Sequence, residues 1–164
     1  MKKKILIIGG TGFLGYHLAK KCLLKKWKVT SISTNKPKKI RFLPKVKYLI
    51  LDITKKKHIL KKIKSDFDFV VNFGGYVNHS EKLKTYKSHY IGCKNLANIF
   101  NKKKIKSFIQ IGSSVEYGDA KSPQKENNKT DVKMLKSTYG KAKLMATNYL
   151  LKLNKKHNFQ CTIL

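Results

Sequence analysis

Arginine, acidic side chains, paired cysteines and long apolar runs are all scarce in this chain. Of the 38 basic residues among 164 only Arg41 is an arginine, and 8 carboxylates oppose them, which leaves a formal charge of +30. A basic surface attracts polyanions whatever its fold. Proteins that read bases or clamp phosphates rely on the guanidinium fork, however, and these lysines run through every segment instead of forming one stripe. The composition therefore reads as lysine-coated solvated faces with no specific nucleic-acid partner, and a polyanion-binding basic protein is the competing reading. Cys22, Cys93 and Cys161 are odd in number and widely spaced, with no CxxC pair and no histidine cluster at ligand spacing. That excludes a disulfide framework and a metal site, and reduced thiols fit a cytoplasmic protein. The apolar run after Met1-Lys-Lys-Lys4 stops at Gly9, short of a signal-peptide core, and no later stretch reaches the roughly 18 apolar residues of a membrane span. A chain of 164 residues suits one domain that buries roughly 68–70% of its unfolded surface. Within these residues no second, substrate-binding domain is expected.

What is present begins at Lys4-Ile-Leu-Ile-Ile-Gly-Gly-Thr-Gly-Phe-Leu-Gly15. Residues 5 to 8 have the continuous apolar character of a strand buried on both faces, and the spacing from Leu14 through Leu18, Ala19, Cys22 and Leu23 is helical. Strand, glycine turn and helix follow without a spacer, in the pattern GxxGxxG. Such a turn is either a plain structural turn or a phosphate cradle. In the second case Gly9 permits the turn, Gly12 lets a pyrophosphate approach backbone N–H groups at the positive helix end, and Gly15 lets helix and strand lie close.

Further strands are expected at Lys28–Ser33, Lys47–Leu51, Phe69–Phe73, Phe108–Gly112 and Phe159–Leu164. Helices are expected at Phe13–Lys25, Lys55–Lys64, Lys82–Lys102 and Thr138–Lys156. In the last of these, Leu144, Asn148 and Leu151 form one stripe and Ala142, Met145 and Tyr149 the next. With right-handed crossovers this alternation gives an α/β fold, a doubly wound parallel sheet of Rossmann type with helices on both faces. Gly118–Lys136 has no periodicity and reads as a long surface loop, a kind that is often functional. Because the chain stops inside a strand pattern, the expectation is a dinucleotide-binding domain over 1–164, truncated at its last strand or closed by a partner.

Tyr139 and Lys143 stand four apart at the start of the last helix and project from one face. An ammonium beside a phenol stabilises the phenolate, and the phenol can then exchange a proton with a substrate oxygen while hydride moves to or from a cofactor. With so many lysines, a tyrosine four residues before one also arises by chance.

Five segments together resemble the extended short-chain dehydrogenase/reductase family of nucleotide-sugar epimerases, dehydratases and keto-sugar reductases. They are Gly9–Gly15, Leu51-Asp52-Ile53, Val71-Asn-Phe-Gly-Gly75, Ile111-Gly-Ser-Ser-Val-Glu-Tyr-Gly118 and Ser137-Thr-Tyr-Gly-Lys-Ala-Lys143. The resemblance implies a catalytic set of Ser113, Tyr139 and Lys143, with Ser114 a close second to Ser113 and a candidate substrate contact. It implies cofactor contacts from Gly9, Gly12, Phe13, Leu14, Gly15, Phe73, Gly74, Gly75, Tyr139 and Lys143. Asp52 and Ile53 would flank adenine, although Asp52 reads equally well as a helix N-cap or turn residue. After the second strand the family's NAD-binding members carry an acidic residue, whereas Ser33-Thr-Asn-Lys36 has none. The cofactor is thus NADP or NAD, with NADP favoured and Thr34, Asn35 and Lys36 as contacts. His79 could face substrate or sit in a surface loop, and His89, where many relatives have Asn, reads as a packed histidine. Dehydratases place Asp-Glu directly after the catalytic hydroxyl residue. Ser114 and Val115 stand there, so reduction or epimerisation of a nucleotide sugar is favoured over dehydration. A non-catalytic dinucleotide-binding domain is the alternative, and a homodimer through the helices at 82–102 and 138–156 is the resemblance's further implication.

Overall fold

A computed structural model describes residues 2–126, 128 and 130–164; Met1, and Asn127 and Lys129 of the expected loop, lie outside the described residues. The strands are β1 Lys4–Ile8, β2 Lys28–Ser33, β3 Val46–Ile50, β4 Phe69–Asn72, β5 Ser107–Gln110 and β6 Cys161–Ile163. The helices are α1 Phe13–Leu24, α2 Lys56–Lys62, α3 Lys82–Tyr86, α4 Gly92–Phe100 and α5 Thr138–His157. All strand pairs are parallel, in the order β3-β2-β1-β4-β5-β6. This is the doubly wound arrangement, and the progression of strand order reverses between β1 and β4.

Strand β1 sits between β2 and β4 and is buried on both faces, which explains its unbroken apolar run. Ile5 and Ile7 pack with Ala19 and Cys22 of α1 on one side. Leu6 and Ile8 pack on the other side, in the core that holds Ile59 of α2, Leu96 and Phe100 of α4, and Ala146 and Leu150 of α5.

Three expectations change in detail. The segment expected as one helix over 82–102 is α3 and α4 joined by a wider π-helical turn, Lys87–Ile91. The strands at 108–112 and 159–164 are shorter, because beyond Gln110 the chain turns into a 3-10 segment at Ser114–Tyr117. The buried stripe of α5 runs through Ala142, Ala146, Leu150 and Leu153, and Asn148 and Leu151 are exposed. Ser137 caps α5 by accepting the Gly140 N–H at 3.0 Å.

Candidate active site

The glycine turn lies at the C-terminal end of β1, beside the point where strand order reverses. Gly9 has φ +76°, a left-handed conformation that favours glycine, and its N–H donates to the Ile32 carbonyl at 2.7 Å. Gly15 sits inside α1 so close to the turn that a Cβ would stand 2.3 Å from the Gly9 carbonyl oxygen. Only glycine lets this helix abut this strand. A Cβ on Gly12, the N-cap of α1, would have Gly9 O at 3.2 Å as its only near neighbour. The N-terminal N–H groups of α1, which have no intrahelical partner, lie beside it.

A cleft of about 410 Å³ opens over this turn. Gly9, Gly12, Phe13, Leu14, Gly15, Thr34, Asp52, Ile53, Phe73, Gly74 and Gly75 all line it. Asn35 and Lys36 are exposed and lie outside that lining. Thr11 and Ser33, inside the motif segments but given no role there, also line it, as do Tyr76, Val77 and Ser88, which carried no motif signal; Ser33 Oγ receives the Thr11 N–H at 3.3 Å, and Ser88 Oγ the Tyr76 N–H at 2.9 Å. None of the lining residues is a lysine. The Arg41 guanidinium carbon instead stands 5.9 Å from the centroid of the Phe13 ring, at the cleft's edge.

Asp52 is a turn residue, with Oδ1 accepting the Thr54 N–H at 2.8 Å. The loop it occupies is held from α4, where Asn95 Nδ2 donates to the carbonyls of Ile53 and Thr54, each at 3.0 Å. Beneath the glycines after β4, Asn72 Oδ1 accepts the Gly74 N–H at 3.0 Å while Asn72 Nδ2 donates to Gln110 Oε1 at 2.7 Å. This buried amide pair ties the ends of β4 and β5 together.

Tyr139 and Lys143 stand beyond that lining, on the first turns of α5. Lys143 Nζ lies 5.8 Å from the Tyr139 ring centroid and donates to the Ile111 carbonyl at 2.5 Å, which fixes the ammonium at the end of β5. Burial lowers the Lys143 pKa, and the Glu116 carboxylate and Cys93 act in the opposite direction. The Tyr139 ring is flanked on one face by His79, stacked at 4.0 Å and 13°. His89 meets it edge-on at 4.9 Å and 83°. His79 is exposed, whereas His89 is buried against Gly75, where a Cβ would stand 2.1 Å from His89 Cε1. Tyr139 therefore joins the cleft through His89 and Gly75. Burial pushes the His89 pKa down to about 4, with the Tyr76 carbonyl bond acting against that. The neutral ring places Nε2 3.2 Å from the Tyr76 carbonyl, so Nε2 carries the proton, and Nδ1 is left without a partner among the described residues.

Ser113 caps the 3-10 segment: its Oγ accepts the Val115 N–H at 3.4 Å, and its own N–H donates to Glu116 Oε1 at 2.8 Å. The Ser113 hydroxyl hydrogen remains available, and Ser114 is exposed. Glu116 is buried with both oxygens engaged, the second by Thr147 Oγ1 at 2.7 Å. Capping geometry thus commits one Glu116 oxygen to the Ser113 backbone. Gly140 lets α5 approach this segment, since a Cβ there would lie 2.9 Å from Val115 Cγ1.

Among the described residues no group of three or more His, Cys, Asp or Glu could hold a metal, and no helix is long and apolar enough to cross a membrane. No curated protein matches this chain. Solved structures do. UDP-glucose 4-epimerase from Thermotoga maritima, in complex with UDP-glucose, is 20% identical with a TM-score of 0.87, covering 98% of this chain and 54% of that one. The UDP-Glc/GlcNAc 4-epimerase from Campylobacter jejuni is 22% identical with a TM-score of 0.85, covering 98% and 52%. UDP-glucuronic acid 4-epimerase from Bacillus cereus, with UDP-glucuronic acid and NAD, is 20% identical with a TM-score of 0.80, covering 98% and 55%. The chain thus spans about half the length of these structures, and at such identities the likeness carries the fold. The profile of the NAD-dependent epimerase/dehydratase family, in contrast, matches residues 5–164, which is nearly the whole sequence. By that match, the chain belongs to the NAD-dependent epimerase/dehydratase family.

Proposed function

We propose that residues 1–164 form the dinucleotide-binding part of an NAD(P)-dependent nucleotide-sugar epimerase or reductase, with Ser113, Tyr139 and Lys143 as its catalytic set. The observation that carries this reading is the position of Tyr139, with the Lys143 ammonium 5.8 Å from its ring, joined through His89 and Gly75 to the glycine-turn cleft. The cleft fits a dinucleotide on three counts: an open helix N-terminus at Gly12, a glycine floor at Gly74 and Gly75, and the Asp52–Ile53 loop at its far end. Asp52 would receive the adenine amino group, and Phe13, Leu14 and Phe73 supply apolar walls. The UDP-sugars in the related structures point to the same substrate class.

A dinucleotide held by the glycine turn and the Asp52–Ile53 loop would supply a nicotinamide as hydride acceptor and donor for a sugar carbon. Tyr139 accepts or returns the proton of the sugar oxygen, the Lys143 ammonium favours its phenolate, and the Ser113 hydroxyl donates to the same oxygen. His79 and His89 hold the phenol ring between them. Glu116, held by the Ser113 N–H in the cap and by the Thr147 hydroxyl of α5, is unavailable as the base that dehydration needs. NADP is preferred over NAD, because Thr34, Asn35 and Lys36 offer no carboxylate to repel a 2′-phosphate and Arg41 stands at the cleft's edge.

Tyr139→Phe tests the chemistry. With UDP-sugars or their 4-keto derivatives as substrates, kcat falls at least about 100-fold while cofactor affinity stays within about twofold. Cofactor binding without turnover of any nucleotide sugar by the wild-type chain would instead support a non-catalytic dinucleotide-binding domain.

A further inference from the structure

The lysines are not spread evenly over the clefts. None lines the dinucleotide cleft at the C-terminal ends of the strands. At the opposite end of the sheet, a cleft of about 570 Å³ is lined by Lys2, Lys4, Lys26, Lys28, Lys45 and Lys47, with Trp27 in its wall. All six lysines are exposed, and none forms an ion pair among the described residues. The one carboxylate in this cleft, Asp66, is exposed and reaches Lys103 at 3.4 Å.

The backbone concentrates this charge. Lys4 on β1 is in direct register with Lys28 on β2, and Lys47 on β3 with Thr30 on β2. Side chains two apart on a strand share a face, so Lys4, Lys28 and Lys47 project together across three strands about 4.8 Å apart. Like charges directly opposite on neighbouring strands repel. Lys26 adds a second unfavourable feature, since its φ of +57° is a left-handed conformation that favours glycine. Close behind, Lys3 Nζ stands 5.2 Å from the Trp27 ring centroid, and Trp27 stacks on Phe69 at 5.3 Å. The like-charge crowding within this concave site is relieved by an anion. Six lysines carry more charge than a lone phosphate neutralises, whereas a chain of phosphates brings a negative charge with each unit.

We propose that this cleft is a binding site for a linear chain of phosphate groups, separate from the dinucleotide cleft. The lysines engage it as point charges, and the absence of a bidentate guanidinium leaves recognition to phosphate spacing and charge. The site is independent of the catalytic reading, because it occupies the other end of the sheet.

Trp27 is the sole tryptophan and lies in the site, so its fluorescence reports occupancy. The wild-type chain is titrated with inorganic polyphosphate and, separately, with single-stranded oligo(dT), over a range of salt. The comparison is between the triple variant Lys4→Gln, Lys28→Gln, Lys47→Gln and the equally discharged control Lys152→Gln, Lys155→Gln, Lys156→Gln, whose residues are exposed on α5. Polyphosphate is expected to change the Trp27 emission. The cleft variant weakens binding at least about tenfold and flattens the log–log salt slope by about 2 to 3, with its melting temperature not lowered, and the control changes affinity less than about twofold. Equal weakening by the two triple variants, no Trp27 response to polyphosphate, or binding of oligo(dT) without binding of polyphosphate would each overturn the proposal.

Discussion

His89 is a neutral imidazole held where an ordinary histidine would titrate. Its ring fills the space above Gly75 Cα, hydrogen-bonds the Tyr76 carbonyl and lies within reach of His79, Tyr139 and Lys143. With a folded pKa of about 4 against 6.5 in the unfolded chain, the unfolded state binds more protons between those values. Stability therefore rises with pH through that window and is insensitive to His89 above it. At pH near 4.5 the loss relative to neutral pH is about 2–3 kcal/mol. Urea unfolding of the wild type and of His89→Asn at both pH values checks this: the variant loses less on acidification by about that amount, and parallel losses would contradict it. The glycines of the turn after β1 were legible in the sequence, because their requirement is steric and local: a left-handed Gly9, and a Gly15 with backbone 2.3 Å from its missing Cβ. His89 was legible only as a packed histidine. Its contact with Tyr139 depends on the Lys87–Ile91 turn and the start of α5, which approach only in the folded chain.

Single elements explain why some expectations shifted. The helix after β4 was read as continuous because its residues keep helical spacing, yet five of them form a wider turn, with Gly92 so close to Ile53 that a Cβ would stand 2.6 Å from Cδ1. This tight seat is set by α4 packing on the β3–α2 loop, a contact between segments about 40 residues apart. Asn95 is the clamp on that seat. Asn95→Ala leaves the Ile53 and Thr54 carbonyls without their donor and should cost about 1–2 kcal/mol by thermal melting. It should also weaken dinucleotide binding severalfold, since Asp52 belongs to the released loop; unchanged binding would show that the loop holds itself. On α5 the expected apolar stripe was rotated. Tyr139, Lys143 and Thr147 recur every fourth residue and reach toward Tyr139's histidines, the Ile111 carbonyl and Glu116 respectively. That polar stripe continues to the exposed Leu151, and Ala142, Ala146 and Leu150 beside it take the core.

Across the whole molecule, charge and sheet polarity divide the surface into two ends. The strand C-termini carry the glycine turn, a lysine-free cleft and the Tyr139–Lys143 pair; at the other end six exposed lysines of strands and loops line the second cleft. All six strands and their order along the chain could be read from apolar runs and turns, since a parallel sheet buried on both faces writes itself as continuous hydrophobic segments. The partition of lysine could not, because residues of β1, β2 and β3 become neighbours only when the sheet assembles. The central claim is that the Gly9–Gly15 turn cradles a dinucleotide pyrophosphate, and Gly12→Val probes it most directly. Gly12 has an ordinary φ of −76° and only Gly9 O near its missing Cβ, so the variant folds while its side chain enters the phosphate space. Titration with NADPH and NADH should give micromolar-range affinity in the wild type, tighter for NADPH, and at least about tenfold weaker binding in Gly12→Val at an unchanged melting temperature. Absence of binding by the wild type, or equal affinity in the variant, would contradict the account.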